Sequence, residues 1–107
     1  MAGYKVLLVD DEEEVRQAIA NKLDWKSLGF QVVGEAGNGE EALELSEQLQ
    51  PDIIMTDIKM PFMDGLTVCR RVKGLLPDVK VAIFSGFDEF EYAKEAIRLE
   101  VEESILT

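Results

Sequence analysis

The chain has 107 residues, which fits one small domain, and 47% of them are hydrophobic, enough to form a core. Its 22 acidic residues outnumber its 11 basic residues, and the net charge of -11 disfavours direct binding of this chain to a nucleic-acid backbone. The chain has no His and one Cys, which excludes catalysis by a histidine base, the usual Cys/His zinc sites and an intrachain disulfide.

The N-terminal residues run directly into an apolar segment and lack the pattern of a signal peptide. No apolar run approaches the length of about 20 residues that a membrane-spanning helix needs. We therefore expect the protein to lie in a reducing cytoplasm and to have no membrane partner.

Apolar runs alternate with segments of helical spacing along the whole chain. Short runs rich in branched residues predict strands, and apolar residues three or four positions apart predict amphipathic helices. Gly and Pro signals separate the segments. The predicted elements, in chain order, are a strand at 6–9, a helix at 13–25, a strand at 30–33, a helix at 40–49 after an Asn-Gly turn, a strand at 52–56, a helix at 64–75 that Asp64 could cap, a strand at 79–84, a helix at 89–99 and a strand at 104–106.

This alternation predicts an α/β protein with a parallel sheet that is covered by helices on both faces. Crossovers between parallel strands are right-handed, and the usual order of five such strands is 2-1-3-4-5, a flavodoxin-like doubly wound sheet. Ligands of such sheets bind beyond the carboxyl ends of the strands, where the winding reverses. Here that crevice lies between the first and third strands.

Acidic residues follow both strands that border this crevice. Asp10 and Asp11 follow the first strand and Asp57 follows the third, so three carboxylates should converge. Like charges this close raise a pKa or hold a cation, and an oxygen cluster without His or Cys suits Mg²⁺. The fourth strand ends in Ser85 and Gly86, whose hydroxyl and small size suit a phosphoryl group. A carboxylate can itself act as a nucleophile and form an aspartyl phosphate.

Each of these residues also has an ordinary structural interpretation. Asp10 and Asp11 could cap the next helix, Asp57 could be a loop acid, and Ser85 with Gly86 could be a plain turn. Their joint placement at three neighbouring strand ends favours the functional interpretation.

These segments closely resemble the receiver domain of response regulators in two-component signalling. The resemblance covers nearly the whole chain and rests on VLLVDDE at 6–12, PDIIMTDIKMPFMDG at 51–65 and IFSG at 83–86. It implies that Asp57 accepts phosphate from the phosphohistidine of a histidine kinase. It also implies that Asp11, Asp57 and the backbone carbonyl of Lys59 bind Mg²⁺, with Asp10 acting through a metal-bound water, and that Ser85 is the switch hydroxyl.

The segment GFDEFEYA at 86–93 resembles family members that are fused to a helix-turn-helix output domain, so DNA would be contacted only through that other domain. The end of the chain departs from the family. Ser104 and Thr107 stand where an aromatic residue and a Lys are usual, and the fifth helix does not follow. We therefore expect residues 1–107 to be one receiver domain that is truncated at its C-terminus. These departures would also be explained if the sequence were altered, if the domain were a degenerate receiver, or if the chain were part of something longer.

The main alternative is a degenerate pseudo-receiver, an interaction module without a phosphorylation cycle. Ser104 and Thr107 favour it, and the three intact acids oppose it. A flavin-binding protein would need a neutral phosphate loop where this chain has Asp-Asp-Glu-Glu-Glu, and a phosphatase would need an acid at Lys59. Because the first and fifth helices should share one sheet face, a chain without the fifth exposes apolar surface there, and we expect a homodimer.

Overall fold

The computed structural model describes residues 3–22, 24–85 and 94–95. Four strands alternate with three α-helices and one short 3₁₀ helix in this part of the chain. No helix among the described residues is long and apolar enough to cross a membrane. The elements are β1 (Tyr4–Val9), α1 (Glu13–Lys22), the 3₁₀ helix Lys26–Leu28, β2 (Phe30–Ala36), α2 (Gly39–Leu49), β3 (Ile53–Asp57), α3 (Gly65–Leu75) and β4 (Lys80–Phe84).

The four strands form one sheet in the order β2-β1-β3-β4, and all neighbouring strands are parallel. The predicted doubly wound α/β fold is thus confirmed for the described residues. The predicted fifth strand lies outside them. So does most of the predicted helix at 89–99, of which only Lys94 and Glu95 are described, both helical.

Side chains from alternate positions of the central strands supply two separate hydrophobic cores. Val6 and Leu8 of β1 point to the α1 side, where Ile19, Trp25 and Phe30 also lie. Their neighbours in β1 point to the side of α2 and α3. The second core consists of Leu7, Val9, Ala36, Ala42, Ile54, Met60, Val68, Val72 and Val79. A strand that is buried on both faces has no polar alternation, which is why β1 reads as a continuous apolar run.

The first helix ends at Lys22, although its apolar spacing continues to Trp25. The side chains of Asp24 and Ser27 hydrogen-bond to each other's backbone: the Ser27 amide donates to Asp24 Oδ1 at 3.3 Å and the Ser27 hydroxyl to the Asp24 carbonyl at 2.9 Å. Such local bonds compete with the helix ladder. A 3₁₀ turn follows, and Gly29 closes it with a φ of 81°.

The second helix starts one residue earlier than its sequence pattern indicates, because Asn38 caps it. The Asn38 side chain accepts a hydrogen bond of 2.8 Å from the Glu41 amide, and the Glu41 carboxylate accepts one of 2.9 Å from the Gly37 amide. Replacing Asn38 by Ala should therefore lower the free energy of unfolding by about 1 kcal/mol. Urea denaturation measures this loss, and Asn38→Asp, which keeps the acceptor oxygen, is the matched control. An equal loss in both variants would contradict the capping role.

Candidate functional site

The pairing of β1 with β3 brings two of the predicted acids together at one edge of the sheet. Val9 pairs with Thr56, so Asp10 and Asp57 occupy adjacent positions at the carboxyl ends of the two strands. Together with Asp11 they form a cluster in which one carboxylate oxygen from each residue lies within 4.8 Å of the others. The expected convergence of three carboxylates is therefore present.

Asp10 is the buried member of this acidic cluster, with only 3% of its surface exposed. Burial raises its pKa, and the negative charges of Asp57, Asp11 and Glu12 act in the same direction, so that the pKa lies at about 6. One hydrogen bond opposes this effect: the Glu12 amide donates to Asp10 Oδ1 at 2.9 Å. This bond forms a local turn and does not cap the helix, because Glu12 precedes α1, which begins at Glu13.

Asp57 ends β3 and is only partly exposed. Burial raises the pKa of its carboxyl group, and the charge of Asp11 adds to the rise. Backbone amides of Ile58 and Lys59 act in the opposite direction, because hydrogen bonds from N–H groups favour the carboxylate. Asp57 is therefore a partly exposed acid whose negative charge is disfavoured by burial and by its acidic neighbours.

The next strand brings Ser85 to the same edge. Asp57 pairs with Phe84, the last residue of β4, and the Ile58 amide donates a hydrogen bond of 2.9 Å to the Phe84 carbonyl. Ser85 follows directly and is exposed. The third predicted strand end is thus adjacent to Asp57 in the sheet, while Gly86 lies outside the described residues.

The loop from Ile58 to Asp64 returns the chain to the backbone at the end of β3. Gly65 donates a backbone hydrogen bond of 2.9 Å to Ile58, and a Cβ atom on Gly65 would collide with the carbonyl oxygen of Asp57. Only glycine permits this close approach. Asp64 caps α3 as predicted, by accepting a hydrogen bond of 2.8 Å from the Thr67 amide. Lys59 is exposed in the loop, two positions after Asp57.

Arg16 is a residue of this region that the sequence pattern did not indicate. Its Nη1 donates to the Asp10 carbonyl at 2.8 Å, and its Nε lies 3.1 Å from Oε1 of Glu35 in β2. The side chain therefore ties the end of β1 to the neighbouring strand just below the acidic cluster. A salt bridge between residues 19 positions apart has no local sequence signal.

Phe62 is the second such residue. The Met63 amide donates a hydrogen bond of 2.8 Å to the Pro61 carbonyl, and Phe62 between them has a φ of 70°. This combination belongs to the rare, strained form of the γ-turn, and left-handed backbone at a non-glycine residue costs about 1–3 kcal/mol. Phe62 is fully exposed, at 110% of the reference surface. Such strain concentrates at functional sites, so this turn is a candidate for a binding role.

Two comparisons of sequence identify the type of domain. A family model described as the response regulator receiver domain matches residues 6–106. An uncharacterized transcriptional regulatory protein of Bacillus subtilis, YesN, is 46% identical over 103 residues, and the transcriptional regulatory protein HptR of Staphylococcus aureus is 35% identical over the same length. These matches cover 96% of this chain but only 28% and 40% of the two relatives.

A solved structure agrees with the sequence matches. The receiver domain of AraT, a response regulator from Geobacillus stearothermophilus, superposes with a TM-score of 0.73 at 44% identity, over 92% of this chain and 76% of that one. The sheet order, the acidic cluster and these matches all lead to one classification. The chain belongs to the family of response-regulator receiver domains.

Proposed function

We propose that this chain is the phosphoacceptor switch of a two-component system, with Asp57 as the residue that takes the phosphoryl group. The observation that carries the proposal is the cluster of Asp10, Asp11 and Asp57 at the sheet edge. Family membership supports it, because receivers pass signals from histidine kinases. Asp57 is the partly exposed acid at the end of β3, whereas Asp10 is buried.

The donor atoms of this cluster fit a magnesium ion. Its three carboxylates offer hard oxygen ligands, one oxygen of each lying within 4.8 Å of the others. Asp11, Asp57 and the Lys59 carbonyl would hold the ion, with Asp10 acting through a water molecule. The ion would neutralise charge on the transferring phosphoryl oxygens. Buried Asp10 would keep the cation at this edge of the sheet by its charge.

In the transfer itself, an oxygen of the Asp57 carboxylate attacks the phosphorus of the kinase phosphohistidine. The new O–P bond forms as the N–P bond breaks, and the imidazole leaves with the electron pair and takes up a proton. Ser85 would donate its hydroxyl hydrogen to a phosphoryl oxygen and so register the modification. The histidine kinase is thus the partner, and the chain is no enzyme beyond its own phosphorylation and dephosphorylation.

Transcription is the output that we propose, through a DNA-binding domain outside residues 1–107. The names of YesN and HptR support this, since both are transcriptional regulatory proteins much longer than this chain. The cytoplasmic location, the truncated C-terminus and the homodimer stay predictions. Ser104 and Thr107, on which the pseudo-receiver alternative depends, lie outside the described residues.

Intact-mass spectrometry after incubation with acetyl phosphate and Mg²⁺ tests the proposal. We expect one added phosphate on the native chain, and none when EDTA removes the metal ion. A chain that stays unmodified in both conditions would be a pseudo-receiver.

Metal binding should also raise the melting temperature. A ligand that binds only the folded state stabilises it by RT ln(1 + [L]/Kd), and Mg²⁺ would in addition relieve repulsion among the three acids. We expect a rise over the millimolar range of Mg²⁺ in the native chain and a smaller rise in Asp11→Ala, measured by differential scanning fluorimetry. Asp78→Ala removes an exposed acid from the turn before β4 and serves as the control. An identical rise in the melting temperature of all three proteins would contradict the metal assignment.

A further inference from the structure

Two neighbouring helices on one face of the sheet carry opposite charges. Both α2 and α3 pack against the core that contains Ala42, Val68 and Val72, so their outer sides are turned away from the same sheet face. The charged residues of α2 are all acidic and exposed, namely Glu40, Glu41, Glu44 and Glu47. Those of α3 are all basic and exposed, namely Arg70, Arg71 and Lys73. We call the outer surface that carries these charges the α2–α3 face.

The two sets of charges do not neutralise each other within one copy of the chain. In the described part of the chain, none of the charged side chains of the α2–α3 face forms a salt bridge. Arg70, Arg71 and Lys73 are thus available cations in a chain whose net charge is -11. Adjacent stripes of opposite charge fix the orientation in which a complementary surface can bind.

The basic helix also exposes two apolar side chains. Leu66 and Leu75 lie near its two ends, and 49% and 44% of their respective surfaces are exposed. Charged pairs at a surface contribute little to the free energy of association by themselves. Burial of the two leucines in an interface would add the apolar contribution that such pairs lack.

The order of the charges makes the α2–α3 face complementary to itself. Because all strands are parallel, the two helices that return between them run side by side in the same direction. A two-fold axis parallel to the helices places α2 of one copy on α3 of the other, and it does so twice in the same interface. A two-fold axis that crosses the helices at a right angle would place α2 on α2 and α3 on α3, where like charges repel.

We propose that two copies of the chain associate through the α2–α3 face, with the acidic α2 of each copy against the basic α3 of the other. The net charge of -11 opposes this association at long range. At physiological ionic strength, however, exposed charges interact over only about 8 Å, so the charges that face each other decide the outcome at contact. This surface lies on the opposite side of the sheet from α1, and it does not depend on the apolar surface that a fifth helix would cover there.

Reversing the charges of each helix tests this inference by sedimentation equilibrium. The α3-reversed variant has Arg70→Glu with Arg71→Glu, and the α2-reversed variant has Glu44→Lys with Glu47→Lys. Each should raise the dissociation constant of self-association at least about tenfold, because like charges then face each other in both halves of the interface. Lys26→Glu, which reverses an exposed cation on the α1 side of the sheet, should associate like the native chain.

Two combinations of the reversed helices make the test specific to the two-fold arrangement. An equimolar mixture of the two variants should form a heterodimer about as tightly as the native chain associates, because each reversed helix then faces a helix of opposite charge. A single chain with both helices reversed should associate with itself for the same reason. That chain keeps the net charge of -11, so a change in net charge cannot explain the recovery.

The possible outcomes decide for or against the α2–α3 face. A native chain that stays a monomer at every concentration overturns the inference, and so does a dimer that neither reversed variant weakens, which would assign the contact to the α1 side. Weakening in both variants without recovery in the two combinations also overturns it. If a reversal unfolds the chain in circular dichroism, the neutral pair Arg70→Gln with Arg71→Gln should still weaken self-association. All variants should be labelled by acetyl phosphate like the native chain, because the changed residues lie outside the acidic cluster.

Discussion

Replacing Asp57 by Asn should abolish phosphate incorporation completely. The amide has nearly the shape of the carboxylate but lacks the negatively charged oxygen that attacks phosphorus. Asp10 should not substitute for it, because the Asp10 carboxyl group is buried. Labelling with acetyl phosphate and Mg²⁺, followed by intact-mass spectrometry, measures the effect.

The control for this variant is Asp78→Asn, which alters an exposed acid in the turn before β4 and should label like the native chain. Asp57→Asn should also be at least as stable as the native chain without metal, because one of three repelling charges is removed. A loss of labelling could then not be ascribed to unfolding. Persistent labelling of Asp57→Asn would mean that the acceptor is a different residue.

Replacing Asp10 by Asn should stabilise the metal-free protein at neutral pH. An acid whose pKa is higher in the folded chain binds its proton more tightly there, so its contribution to stability is greatest at low pH and falls as the pH rises. For Asp10 this fall occurs between the ordinary pKa of 3.8 and about 6. A pKa raised that far means that ionising the carboxyl group of Asp10 costs about 3 kcal/mol more in the folded chain than in the unfolded chain. Asn removes this cost and keeps an oxygen for the Glu12 amide.

Urea denaturation in EDTA at pH 7.5 and at pH 4 measures this effect. We expect Asp10→Asn to raise the free energy of unfolding by up to about 3 kcal/mol at pH 7.5 and to have little effect at pH 4, where the folded native chain already carries the proton. Saturating Mg²⁺ should reduce or reverse the gain, because the ion favours the carboxylate. A gain of equal size at both pH values would contradict this explanation, because the gain would then not come from removing the cost of ionising Asp10.

The strands and the acidic cluster could be predicted from the sequence because their signals are local. A strand buried on both faces is a continuous apolar run, as in β1, and an acid directly after it must lie at the carboxyl end. Parallel pairing of β1 with β3 then brings Asp10 next to Asp57. The bounds of α1 were less predictable, since the hydrogen bonds between Asp24 and Ser27 override the apolar spacing that continues to Trp25.

The contacts around the site could not be predicted in this way. The bond from Arg16 to Glu35 joins α1 to β2, and either residue alone looks like a solvated charge. Phe62 would be expected to be buried, yet the γ-turn closed by the Met63 amide holds it in solvent. Both features depend on how the elements pack against one another, and the local residue pattern contains no information about that packing.

Mapping the phosphoryl group to a residue tests the central claim most directly. The native chain would be labelled with acetyl phosphate and Mg²⁺, reduced with borohydride to convert an acyl phosphate to a stable alcohol, and digested for tandem mass spectrometry. We predict that the modified residue is Asp57 and that the other acids of the cluster, Asp10 and Asp11, stay unchanged. Modification of any other residue, or of none, would contradict the assignment of Asp57 as the phosphoacceptor.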